Sequence, residues 1–243
     1  KLGLGYERLR EANPGLVLVS VTTFGQTGPH RDYLGDDLIA LAASGYMIWA
    51  GDNERPPCVA PCFQTYQLGG LYGAFAALIA LRHRSVSGLG QWVDISLQQA
   101  LVYALGSTLL QYVGGRDVVR RIGTGSFSGA QIIQCQDGHT IISPFNKRSS
   151  QALEVEWMQD PLLSQEPWLS DRTYRRDNLD VIDALHRPFI AQFKMWDFVN
   201  EAQRRHIPAA PVNRASGFLS SEHVLARGLI VEAEHPVVGT HKM

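Results

Sequence analysis

Three short stretches hold the residues whose types and spacing could support chemistry. The first is Cys62 to Gln67, reading CFQTYQ, just ahead of the pair Gly69-Gly70. The second is Phe24-Gly25-Gln26-Thr27-Gly28. It follows the apolar run Leu16–Val21 and reads as a glycine-bearing loop at the carboxyl end of a strand, where α/β proteins usually bind ligands. From spacing alone, a plain strand-to-helix connection fits equally well. The third is the glycine-rich segment Gly123 to Gly129, with Gly125 between them. It lacks the lysine of a phosphate-binding P-loop, which excludes that motif.

The acidic and sulfur-bearing residues have plainer readings. Asp36 and Asp37 stand at the amino end of a helix-periodic segment, where the dipole favours acids, and they read as a capping pair. Asp94 falls in a strand and reads as a structural acceptor. Cys58 and Cys62 form half a metal-ligand pattern at most, with no second pair, and Cys135 stands alone. All three read as ordinary buried or half-buried thiols, with no metal and a reducing, cytoplasmic setting.

The elements that must carry these residues follow from hydrophobic pattern and punctuation. Residues 6–12 read as a helix stopped by Asn13-Pro14-Gly15. Leu16–Val21 reads as a buried parallel strand and Leu38–Trp49 as a helix. Leu68–Arg84 is apolar on nearly all sides and is expected to be a buried helix. A Ser-Gly-Leu-Gly turn, a strand over Gln91–Ile95 and a capping box at Ser96/Gln99 follow, opening a helix to about Val113. A helix, a glycine turn, a strand and a helix in sequence point to an α/β sheet.

The texture changes after Gly114-Gly115. Ile132–Cys135 and His139–Ser143 flank Asp137-Gly138, a hairpin signal. Helices are expected over 151–158, 178–193, 195–206 and 218–227. Residues 207–212 read as a stiff extended link suited to a domain crossing, and 229–234 as a strand. The expected organisation is a large Rossmann-like parallel-sheet domain over 1–121, a smaller α+β domain over 122–208, and a return to the large domain over 209–243.

Composition sets outer bounds. The chain has 243 residues, 45% of them apolar, so a sizeable core can form, and a net charge of −1 gives no reason to expect nucleic acid. The longest apolar run, Gly73–Leu81, is far short of the roughly 20 residues a membrane span needs. The chain opens at Lys1 within a helix-like phrase and ends at Met243 within a strand-like one, which suggests a fragment of a longer protein.

Six phrases carry a family resemblance: NPGLVLVSVTTFGQTGP (13–29), GDDLIALAASGYM (35–47), ALRHRSVSGLGQWVDISLQQA (80–100), DGHTIIS (137–143), IPAAPVN (207–213) and ARGLIVEAEHPVVG (226–239). In this order they resemble the class III CoA-transferases, a group that includes formyl-CoA transferase, carnitine CoA-transferase and α-methylacyl-CoA racemase. The resemblance implies interlocked homodimers, or a heterodimer with a paralogue, with coenzyme A and acyl-CoA as substrates. It implies transfer of CoA to a carboxylic acid through acyl intermediates on an enzyme aspartate. Counting back from Gln91, that aspartate position falls on Tyr66, beside Gln67, and no Asp or Glu occurs between Glu54 and Asp94. Gly69 and Gly70, with the loop of Gly123, Gly125 and Gly129, resemble the parts that stabilise the oxyanion. Phe24, Gly25, Gln26, Gly28 and Leu97 resemble positions near the CoA pocket. Asp36 stands where the racemase has histidine, so racemase chemistry is not expected. Two activities fit: a CoA-transferase, or a catalytically inactive subunit that binds CoA or pairs with an active paralogue.

Overall fold

A computed structural model describes residues 3–52, 54–105, 108–115, 130–144 and 146–242. The chain divides into two compact units, Lys1–Gly123 and Thr124–Met243.

The first unit is built on a parallel strand pair. Helix α1 (Tyr6–Ala12) leads into strand β1 (Leu18–Thr22), then α2 (Asp37–Ala43) and the long α3 (Gln64–Ser87). Strand β2 (Trp92–Ser96) follows, with α4 (Leu97–Val102) and α5 (Thr108–Val113). β1 and β2 pair in parallel with Leu18 opposite Trp92 and Thr22 opposite Ser96. Gly88, at φ +75°, caps α3 in the left-handed conformation, and Gly90 then donates to the Pro14 carbonyl at 2.8 Å. A Cβ on Gly90 would lie 1.9 Å from the Leu16 carbonyl oxygen, so only glycine fits this turn.

The helix pattern expected over 38–49 breaks at Gly45, whose φ of +83° ends α2, and a short 3₁₀ turn covers Met47–Trp49. The helix expected to Val113 likewise continues past α4 as a 3₁₀ turn at Tyr103–Leu105, followed by α5.

α3 lies on the strand pair through its small residues. Positions for a Cβ on Gly69 and on Gly73 lie 3.6 Å from Val21 methyls, and Ala80 is fully buried. The sequence predicts burial on nearly all sides. The structure buries the glycine-alanine face and leaves Leu71, Phe75 and Leu78 exposed, because the sheet receives only one side of the helix.

The second unit is α+β. Strands β3 (Gln131–Gln134) and β4 (His139–Ile142) form the expected antiparallel hairpin. Helix α6 (Lys147–Ser150) runs into a π-helix over Gln151–Trp157, where the sequence predicts an ordinary helix. Helices α7 (Arg172–Asp177), α8 (Leu179–Ile190) and α9 (Met195–Arg204) follow, then strand β5 (Ala209–Pro211). The link expected at 207–212 is in fact the third strand of this sheet, with Thr140 opposite Pro211 and Ile142 opposite Ala209. Its proline has no N–H to give, which an edge strand tolerates. The chain closes with α10 (Ala215–Leu219), α11 (Glu222–Ala226) and a hairpin of β6 (Glu232–His235) and β7 (Gly239–Lys242).

Its core packs Ile133, Ile142, Leu153, Ile190, Phe198 and Ile207, with Trp157 stacked on Phe198 at 5.1 Å between ring centroids. A charged cluster is buried beside it. Glu154, wholly buried, accepts from both terminal nitrogens of Arg175 at 2.6 and 2.8 Å and contacts His186 Nε2 at 3.2 Å. His186 Nδ1 lies 2.9 Å from Gln131 Oε1 on β3. Burial opposes the charge on Glu154. The hydrogen bonds from His186 and Arg175 outweigh it and hold the carboxyl below the ordinary range.

Cys135 is buried, and burial, with Asp137 nearby, pushes its thiol up. Cys58 and Cys62 are exposed, contrary to expectation, since Pro56, Pro57 and Pro61 keep their segment on the surface. Among the described residues, no helix is long and apolar enough to cross a membrane.

Candidate active site

The carboxyl ends of β1 and β2 meet the amino ends of α2 and α3, and four segments are tied together there. Thr23 follows β1 directly. Its carbonyl accepts from Gln98 N at 3.0 Å and from the Ser96 hydroxyl at 3.4 Å, which joins the two strand ends. Its own hydroxyl donates to the Gly35 carbonyl at 2.9 Å. A Cβ on Gly35 would sit 2.6 Å from Thr23 Cγ2, so glycine is what lets the segment before α2 approach β1 this closely. Thr22 Oγ1 is shielded from solvent and has no hydrogen-bond partner among the described residues.

The two adjacent acids divide the capping between two helices. Asp36 is the N-cap of α2, its carboxylate accepting from Ile39 N at 3.1 Å, as the sequence predicts. Asp37 reaches across to α3 instead. Its Oδ1 accepts from Thr65 N at 2.9 Å and from the Thr65 hydroxyl at 2.5 Å, and the residue is 7% exposed. Its own backbone N–H donates to the Tyr66 phenol oxygen at 3.1 Å. Asp37 therefore satisfies a donor in the first turn of α3 and at the same time holds the tyrosine tip against the start of α2.

The entry to α3 is strained. Cys62 and Phe63 both adopt positive φ, 66° and 50°, a region that non-glycine residues seldom occupy. Phe63 stacks on Tyr66 with ring centroids 6.1 Å apart and planes 12° from parallel. Both rings are largely exposed. Such conformations persist where surrounding contacts impose them, and they cluster at functional sites.

The other residues singled out from sequence have distinct places. Gly25 is buried at φ +87°, and Gly28 has φ +82°, so both glycines shape the loop after β1. The loop is anchored by Gln26 N donating to Asp94 Oδ2 at 2.8 Å, which bears out the reading of Asp94 as an acceptor. Phe24 is half-buried and meets His30 and Tyr33 edge-on at 5.7 and 6.0 Å. Gln67 is exposed on α3.

Gly69 and Gly70 are interior helical residues, whose N–H groups belong to the α3 ladder. Gly69 serves close packing: a Cβ there would be 2.2 Å from Leu97 Cδ2. Leu97, 4% exposed, is the residue that demands this glycine and has little surface left for a ligand. Gly123, Gly125 and Gly129 lie outside the described residues.

Sequence reasoning missed the Asp37–Thr65–Tyr66 knot. Its partners are 28 and 29 positions apart, and no local pattern announces them.

The model of CoA-transferase family III matches residues 1–243. The chain belongs to CoA-transferase family III. Succinyl-CoA–D-citramalate CoA-transferase of Chloroflexus aurantiacus is 28% identical over 243 residues, covering 99% of this chain and 60% of that protein. The alpha subunit of succinyl-CoA–L-malate CoA-transferase of the same species is 29% identical, covering 96% of this chain and 55% of that subunit. A CAIB/BAIF family protein from Brucella suis has a similar solved structure, with a TM-score of 0.82 and 25% identity over 98% of this chain and 66% of that one. The family III chain thus spans 60% and 55% of the length of these two curated relatives.

Proposed function

We propose that this protein moves CoA from an acyl-CoA to a carboxylic acid. The family match along the whole chain carries the reading. The site's position supports it, since ligands of open α/β sheets lie beyond the carboxyl ends of the strands. Relatives named for succinyl-CoA favour a short dicarboxylic acyl-CoA as donor and a carboxylic acid as acceptor.

In this reading the donor thioester binds at the amino ends of α2 and α3, beside Tyr66, with the Phe24–Gly28 loop as one wall of the CoA pocket. Three carboxylates at this end of the first unit each accept a backbone N–H: Asp36 from Ile39, Asp37 from Thr65 and Asp94 from Gln26. These bonds fix the loops on which the substrate would rest. They also make the three acids structural groups in the first instance rather than attacking ones. Assembly with a second copy or with a related subunit accords with the relatives that are named as subunits. A cytoplasmic setting accords with the unpaired Cys58, Cys62 and Cys135.

The test is to express the complete reading frame, incubate the protein with succinyl-CoA and a panel of carboxylic acids, and separate the CoA esters by chromatography. New thioesters should accumulate only with protein, donor and acceptor all present. Absence of exchange across the panel, and with other acyl-CoA donors, would remove the proposal.

A further inference from the structure

We infer that Tyr66 is the residue that grips the carbonyl oxygen of the bound thioester, with Asp37 as its positioning residue. The inference rests on the CoA-transfer reading above and goes beyond it by assigning a donor. The phenol oxygen of Tyr66 is held as an acceptor by Asp37 N at 3.1 Å. That bond uses a lone pair and leaves the hydroxyl proton for another acceptor. Among the described residues none accepts it, and the residue is 47% exposed, so the proton is free for an acceptor that arrives from solvent.

Three contacts fix its direction. The Phe63 ring lies nearly parallel to it, the Asp37 N–H holds the tip, and Thr65, the residue before it, is clamped to the Asp37 carboxylate through both N and Oγ1. A donor held from three sides has little freedom to lose when a ligand arrives.

The local charge selects the acceptor. Asp37 is 7% exposed, its N–H holds the tyrosine tip and its carboxylate is bonded to Thr65, the residue before Tyr66, so a second carboxylate brought to that tip would meet a like charge nearby. A neutral carbonyl escapes the repulsion and still gains the hydrogen bond. The thioester carbonyl of an acyl-CoA is such a group, whereas the ionised acceptor acid is not. As the acceptor carboxylate attacks the carbonyl carbon, negative charge grows on the oxygen and the Tyr66 bond strengthens. Collapse expels CoA as thiolate and leaves a mixed anhydride. The thiolate then attacks the acceptor carbonyl of that anhydride to give the new thioester and release the donor acid, with no proton changing owner.

The test uses the protein from its complete reading frame and succinyl-CoA carrying ¹³C at the thioester carbonyl. Isotope-edited infrared spectra of the complex should show the carbonyl stretch lowered relative to free succinyl-CoA. In Tyr66→Phe, which keeps the ring and its stacking, the stretch should return toward the free value and kcat should fall by about 10²-fold, the usual loss for one oxyanion donor. Asp37→Asn keeps an oxygen for Thr65 and the backbone N–H for Tyr66, so it should retain most of the shift, whereas Asp37→Ala should weaken it. An unshifted carbonyl in the wild-type complex, or a shift and kcat that survive Tyr66→Phe, overturns the assignment while leaving CoA transfer intact. Failure of the wild-type protein to bind or exchange acyl-CoA overturns both.

Discussion

Replacing Gly69 by alanine tests whether the amino-terminal half of α3 is seated as described. An ideal Cβ there lies 2.2 Å from Leu97 Cδ2 and 3.6 Å from Val21 Cγ1. Carbon–carbon contacts settle near 3.5–4.0 Å, so the helix or Leu97 must retreat by more than about 1 Å. Leu97 is 4% exposed, so its displaced methyl must be accommodated within the core. Overpacking of this kind costs about 1–3 kcal/mol. Alanine in place of a helical glycine returns about 1 kcal/mol, whatever the site.

Gly70 is the internal control, since a Cβ there meets nothing within 4 Å. The helix-propensity gain is common to both substitutions and cancels between them. Gly69→Ala should therefore be less stable than Gly70→Ala by about 1–3 kcal/mol, roughly a 0.5–1.5 M gap between urea midpoints at m near 2 kcal/mol/M. Equal midpoints, or a more stable Gly69 variant, would refute the packing of α3 on Leu97 and with it the placement of Tyr66.

Other expectations concern both units. Gly90→Ala places a methyl 1.9 Å from the Leu16 carbonyl, a backbone atom that cannot yield, so a loss of about 4 kcal/mol or more is expected, read by circular dichroism and soluble yield. Glu154→Gln leaves Arg175 and His186 without their carboxylate and should cost about 3–5 kcal/mol in chemical denaturation. The Glu154 carboxyl titrates lower folded than unfolded. Its stabilisation is thus complete above the unfolded value near 4.5 and fades as pH falls through the lower folded value. Acid titration of the wild type should show this loss below pH 4.5, and the Glu154→Gln variant should lack that component.

Local signals in the sequence were reliable where the physics is local. Asp36 caps α2 and Ser96 caps α4, because a cap needs only its own side chain and a donor three residues on. The β3–β4 hairpin follows from Asp137-Gly138, and α1 ends at Ala12, immediately before the breaker that starts at Asn13. Contacts between distant residues were not legible. Asp37 reads as a second cap on its own helix, yet its carboxylate serves Thr65 on α3. Gly69 and Leu97 pack against each other, a contact that their spacing in the sequence does not announce. Residues 207–212 have the proline content of a linker, yet β5 pairs with β4, since Pro211 needs no ladder partner for its nitrogen at a sheet edge. Uniform apolarity announced α3 as a helix in contact with other structure, but it could not say which face the sheet would take.

The most direct measurement of the central claim is a crystal structure of the protein from its complete reading frame with a non-reactive ketone analogue of succinyl-CoA, in which a methylene replaces the thioester sulfur and the carbonyl is kept. The account predicts the acyl carbonyl within hydrogen-bonding distance of the Tyr66 hydroxyl, at the carboxyl ends of β1 and β2, with the Phe24–Gly28 loop against the CoA. An analogue bound elsewhere, with Tyr66 remote from its carbonyl, would contradict it.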